Sequence, residues 1–73
     1  MSAINREQAL LLAIALYHRQ HGYAPSIRDL QRDCGISTTS VVKYHLERLR
    51  ERGLVDWKDG QARTVHIVQE AQS

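Results

Sequence analysis

Four glycines, Gly22, Gly35, Gly53 and Gly60, punctuate this chain. Glycine enters left-handed backbone without a steric penalty, so each is a natural stop for the element before it. Up to Gly53 the apolar residues recur at helical spacing. Beyond it they alternate. That single change of period constrains the fold most, because it predicts helices first and a hairpin afterwards.

Asn5 opens the first helix, and Gln8 three residues on completes a capping-box pattern. Leu10, Ala13, Ile14 and Tyr17 form an inward face, and Leu11, Leu12 and Leu16 broaden it. The first helix is therefore expected to be buried on more than one side. Pro25 biases Ala24 towards an extended conformation, and Ala24 is expected to add a short edge pairing to the hairpin. Ser26 and Asp29 repeat the capping box before a short second helix with Ile27 and Leu30 on its apolar face. Gly35-Ile36-Ser37 is a turn of the length that joins the two helices of a helix-turn-helix. Ser37 or Thr38 then caps a third helix, which runs to about Arg52 with Val42, Leu46 and Leu49 as its apolar stripe.

After Gly53, Val55 and Trp57 point one way and Asp56 and Lys58 the other. Asp59-Gly60 is a strong turn signal, followed by Val65 and Ile67 alternating with Thr64 and His66. Trp57 is expected to anchor this hairpin against the helices. The predicted class is α+β: a three-helix winged helix-turn-helix over residues 1–68, with a C-terminal β-hairpin wing and a frayed polar tail over 69–73.

The chain of 73 residues makes one domain. Domains of this size bury only about 60% of the surface their unfolded chains expose, a core suited to a binding module rather than a catalytic cleft. The single Cys34 excludes an internal disulfide. The longest apolar run, Ala9 to Tyr17, is about half of what a membrane-spanning helix requires, and no signal peptide is recognisable, so a soluble, cytoplasmic protein is expected. No phosphate-binding glycine loop, nucleophile elbow or paired-carboxylate motif is present, so no enzyme activity is expected. His18 and His21 are three apart on the first helix, but no ligand cluster completes a site. No metal or cofactor is expected, and His45 reads as a packing histidine.

With Leu46 set inward, a rotation of about 100° per residue places Ser37, Ser40, Val41, Tyr44, Arg48 and Glu51 on the far side of the third helix. Its N-terminal part holds small hydroxyls, a methyl-bearing Val41 and a Tyr, with Lys43 on the flank. Small side chains let a helix press into the major groove, hydroxyls donate or accept at base edges, and a Val can pack on a thymine methyl. Recognition helices contact bases mainly with their N-terminal residues. Arg28, Lys43, Arg48, Lys58 and Arg63 surround this patch as candidate phosphate partners, and the second helix offers free N–H groups near Ser26. A Ser/Thr run is also what a simple helix cap looks like. Arg48, Arg50 and Arg52, interleaved with Glu47 and Glu51, read equally as a salt-bridged helix end. The net charge of +2 permits nucleic-acid binding without arguing for it.

Gly22 to Leu30 (GYAPSIRDL), Gly35 to Val42 (GISTTSVV), His45 to Leu49 (HLERL) and Arg52 to Val55 (RGLV) together carry a resemblance. From about Ile4 to Val68 the chain resembles the N-terminal DNA-binding domain of the LexA-type SOS repressors. The resemblance implies a partner, double-stranded DNA, and a transcriptional regulator, in particular a repressor. It implies base reading by Thr38, Ser40, Val41, Lys43 and Tyr44, and beside them Ser26, Arg28, Ser37, Thr39, Arg48, Lys58 and Arg63 are expected on phosphates from the residue reading. Lys43 and Tyr44 depart from the family's pattern, which implies a different operator. The self-cleaving Ser/Lys protease domain of those repressors has no counterpart here, so self-cleavage is not implied. A lone module of this kind fits a phage or mobile-element regulator, an accessory protein or an excised fragment. No dimerisation element is recognisable, so a monomer or weak homodimer that pairs on a palindromic operator is expected. The competing expectation is a winged helix that docks a protein partner.

Overall fold

The computed structural model describes residues 5–68. The element order is α1 (Arg6–His21), α2 (Ile27–Cys34), α3 (Thr39–Glu51), β1 (Val55–Asp56) and β2 (His66–Ile67). Three helices and a two-stranded antiparallel sheet make the α+β winged helix-turn-helix that the change of period predicts. The proposed tail over 69–73 lies outside the described residues.

Both capping boxes form. Asn5 Oδ1 accepts from the Gln8 amide at 2.8 Å while Gln8 Oε1 accepts from the Asn5 amide at 3.3 Å. Ser26 Oγ accepts from the Asp29 amide at 3.1 Å while Asp29 Oδ2 accepts from the Ser26 amide at 3.0 Å. Each box satisfies N–H groups that a helix start leaves free. α1 and α2 both end on a left-handed glycine, Gly22 and Gly35. Of the two candidate caps for α3, Thr38 is the one used: its Oγ1 accepts from the Val41 amide at 3.3 Å.

The core is shared by every element. Leu10 and Ile14 of α1, Leu30 of α2, Ile36 of the turn, Val42, Leu46 and Leu49 of α3, and Val55 and Val65 of the hairpin are buried together. Ile36 drives the turn inward, its amide donating to Gln31 O at 3.0 Å.

Three expectations need correction. Leu12 and Leu16 are each 51% exposed, so α1 buries one stripe rather than several sides. A residue two places on lies about 200° round a helix, and no described element covers α1 there. Ala24 adds no edge pairing among the described residues, since the sheet contains only β1 and β2. Its carbonyl instead accepts from Arg63 Nη1 at 3.2 Å, and the following Pro25 has no N–H to offer a ladder. The hairpin is also shorter than its alternation suggests. Val55 pairs with Ile67 and Asp56 with His66, and Val68 N donates to Leu54 O at 2.9 Å.

The 57–65 loop of the wing is held chiefly by side chains. Asp56 Oδ1 accepts from the Trp57 amide at 2.8 Å, and Thr64 Oγ1 accepts from the Lys58 amide at 2.9 Å. These bonds take N–H groups that a longer ladder would use. The Asp59-Gly60 turn forms as predicted, with Gly60 at φ 79 and Gln61 N donating to Lys58 O at 3.1 Å.

Candidate nucleic-acid interface

The Thr38 cap decides where α3 begins and therefore which side chains occupy its first turn. Gln31 Nε2 donates to Ser37 O at 3.0 Å and ties the turn to α2. Ser37, Thr38, Ser40, Lys43 and Tyr44 are exposed, and Thr39 and Val41 are half-buried. The predicted hydroxyl face of α3 is thus assembled and open. Val41 also packs against the core, so only part of its side chain faces outward. Tyr44 is 58% exposed, its ring edge-on to His45 and 5.8 Å from the Arg48 guanidinium carbon.

Between α3 and the wing runs a cleft with Ile27, Leu46 and Trp57 in its floor. One compartment, of about 320 Å³, reaches Ser26, Arg28 and Arg63, and the other, of about 330 Å³, reaches Lys43, Glu47, Lys58 and Asp59. Arg28, Lys43 and Lys58 come from α2, α3 and the wing. None of the three has an ion-pair partner among the described residues. The remaining candidate cations are committed elsewhere. Arg48 Nε donates to Glu7 Oε2 at 2.8 Å. Arg63 is expected from the sequence as a free cation beside the wing tip. Instead it turns into the body, donating from Nη1 to Tyr17 Oη, Ala24 O and Asp29 Oδ2 at 3.3, 3.2 and 3.1 Å. An acceptor group gathered from three segments outcompetes water for that guanidinium.

A profile for the LexA DNA binding domain matches residues 1–64. The chain belongs to that family. Among curated relatives, LexA repressors match it from Herpetosiphon aurantiacus (38% identical over 63 residues), Clostridium botulinum (34% over 67) and Roseiflexus sp. (46% over 55). These alignments cover 86%, 92% and 75% of this chain but only 29%, 33% and 25% of the relatives. The chain therefore spans about a third or less of the length of the repressors it matches.

Two residues hold this LexA domain together through partners that the sequence does not reveal. Glu7, in the first turn of α1, takes Arg48 on one oxygen and Arg52 Nη1 on the other at 3.0 Å, with His45 Nδ1 3.4 Å away. The Arg48 hydrogen bond holds its carboxyl below the usual range. Arg50 donates to Asp56 Oδ1 at 2.9 Å and to Trp57 O at 3.0 Å, and its guanidinium lies 4.1 Å from the Trp57 ring centre. The α3 arginines thus pair with α1 and the wing rather than with Glu47 and Glu51. Trp57 packs against the core as predicted, and its Nε1 donates within the wing to Asp59 Oδ1 at 2.9 Å. His21 stacks on Tyr17 at 4.1 Å. Among the described residues no group of three His, Cys, Asp or Glu side chains is placed to hold a metal, and no helix is long and apolar enough to cross a membrane.

Asp29 is the buried charged residue among the described residues, at 8% exposure. The Ser26 backbone amide, then the Ser26 hydroxyl, the Tyr17 hydroxyl and the Arg63 charge, hold its carboxyl well below the usual carboxylate range against the opposing effect of burial. A folded-state value below the unfolded one means stability that is complete above about pH 5 and lost as pH falls through about 4 and lower. Asp29→Asn is expected to be less stable than the parent at pH 7. It is also expected to lose less between about pH 5 and pH 2. Urea midpoints at both pH values check this, and an equal acid loss in the two proteins would contradict it.

Proposed function

We propose that this domain binds double-stranded DNA sequence-specifically, with the N-terminal half of α3 in the major groove, and acts as a transcriptional repressor. The observation that carries the reading is the set of unpaired cations, Arg28, Lys43 and Lys58, supplied by three elements around one cleft beside an exposed hydroxyl face. Family membership and relatives that are LexA repressors support it. In this reading Thr38, Ser40, Val41, Lys43 and Tyr44 meet base edges. Ser37, Thr39, Arg28, Lys58 and the α2 start at Ser26 position the duplex on its phosphates, with Arg48 reaching a phosphate only from its Glu7 pairing. The protein is a monomer in solution that pairs on a two-fold operator.

The test is fluorescence anisotropy of a random duplex pool against this protein at low and moderate salt, followed by selection of the bound sequences. Affinity is expected to fall steeply with salt. Arg28→Ala is expected to weaken binding to all sequences alike and to flatten the log–log salt slope by about 0.9, the signature of one lost phosphate contact. Tyr44→Ala is expected to shift the selected sequence instead. Absence of binding at about 100 µM protein in low salt would sink the proposal, since non-specific affinities of about 10⁻⁴–10⁻⁶ M register there. A protein-docking role would then take its place.

A further inference from the structure

We propose that Arg63 is a positioning residue: it latches the return limb of the wing onto the helical body and thereby holds Lys58 where it meets a phosphate. The proposal rests on the DNA-binding reading above and assigns Arg63 a role other than phosphate contact.

Three observations support the latch. The first is backbone conformation. Arg63 has φ 59 and is the one non-glycine residue with positive φ among the described residues. An L-residue holds that conformation only against a steric penalty, so surrounding contacts must impose it. The second is the contact set. A single nitrogen, Nη1, reaches acceptors in α1 (Tyr17 Oη), in the segment before α2 (Ala24 O) and in α2 (Asp29 Oδ2). The guanidinium carbon also stands 5.1 Å from the Tyr23 ring centre. The third is what else holds the loop. Two residue pairs of ladder stand behind it, and Val65 at its end is buried in the core. Arg50 of α3 secures the outgoing limb through Asp56, the Trp57 carbonyl and Asp59. On the return limb, Arg63 supplies the side-chain bonds to α1 and α2.

Lys58 is joined to that return limb through Thr64, whose hydroxyl accepts from the Lys58 amide at 2.9 Å and shares its proton between the Gln61 and Lys58 carbonyls at 3.1 and 3.3 Å. Thr64 is the next residue after Arg63. The position of Lys58 over the cleft is therefore set through Thr64 by the Arg63 latch. The Arg63 guanidinium lies 3.1 Å from Asp29, a carboxylate it shares with Arg32. A phosphate reaching Nη1 would compete with Asp29, whose carboxylate would keep Arg32 Nη2 at 3.2 Å and its hydrogen bond from the Ser26 amide.

A double-mutant cycle on DNA affinity separates the two roles, using Arg63→Ala, Lys58→Ala and the double variant, each checked as folded by circular dichroism. If Arg63 acts through Lys58, the double variant matches Lys58→Ala, with one salt-slope decrement of about 0.9. Additive losses, with a decrement of about 1.8, would mean that Arg63 contacts a phosphate itself and would overturn the proposal. Asp29→Asn supplies a second readout with opposite signs. It weakens the latch by removing the ion pair, so binding weakens although a negative charge has been removed. Equal or tighter binding overturns the latch.

Amide exchange in the DNA-free protein gives a third measurement. The Lys58 and Gln61 amides are expected to exchange at least about tenfold faster in Arg63→Ala, relative to Leu46 in the core. Should Arg63→Ala not fold, Tyr17→Phe removes one acceptor and no charge, and the same two amides are expected to speed up. Unchanged exchange overturns the latch. If the unmodified chain shows no salt-dependent DNA binding, the DNA reading fails. The exchange data then still decide whether Arg63 holds the wing.

Discussion

Leu30→Ala is expected to cost about 2–5 kcal/mol of stability, the range for emptying a fully buried leucine site. Leu30 has no exposed surface and sits in α2, the helix that packs against both α1 and α3. Domains hold about 0.05–0.15 kcal/mol per residue, which for a chain this size is roughly 4–11 kcal/mol in total. One side chain therefore carries at least about a fifth of what keeps the domain folded. Urea unfolding followed by far-UV circular dichroism measures it, with Leu30→Met as a volume-conserving control that should lose less than about 1.5 kcal/mol. A loss below about 1 kcal/mol for the alanine variant would mean that α2 is not the keystone of the core.

Ser40→Glu is expected to act in the opposite sense on folding and on binding. Ser40 follows the Thr38 cap by two positions, in the first turn of α3, and its side chain is exposed. A carboxylate there faces the positive end of the helix dipole, so stability is expected to hold or rise by about 0.3–1 kcal/mol. The same carboxylate would be pressed against DNA, where like-charge juxtaposition costs several kcal/mol, and affinity should drop by about 100-fold or more. Thermal unfolding and anisotropy on one preparation test both halves. A variant that keeps its stability and also binds DNA as before would remove Ser40 from the interface.

What could be read from the sequence was local. The Asn5–Gln8 and Ser26–Asp29 boxes are each written within four consecutive residues, and both form. The left-handed glycines behave the same way, because their conformational freedom does not depend on the rest of the chain. The exposed hydroxyl face of α3 followed from periodicity alone. What escaped depends on partners far along the chain. The spacing of Arg48 and Arg52 suggests pairing within α3, yet both reach Glu7, 41 and 45 residues away. Arg63 looks like a solvated hairpin cation until Asp29, 34 residues earlier, is seen beside it. Leu12 and Leu16 look like core because apolar character says nothing about whether another element exists to cover them.

The wing's minimal ladder has an evolutionary corollary. Where a loop is held by a long ladder, inserting or deleting a residue shifts the register of everything beyond it. Here the strands stop after two residue pairs, and the 57–65 loop is secured by discrete side-chain bonds at its two limbs. Its apex around Gly60 is exposed and carries neither the sheet nor the core. Loop tips of that kind accept changes of length and sequence readily. The apex is thus an exchangeable cassette, through which a lineage can vary its contacts with a target while the helices, the sheet and the fastenings stay as they are.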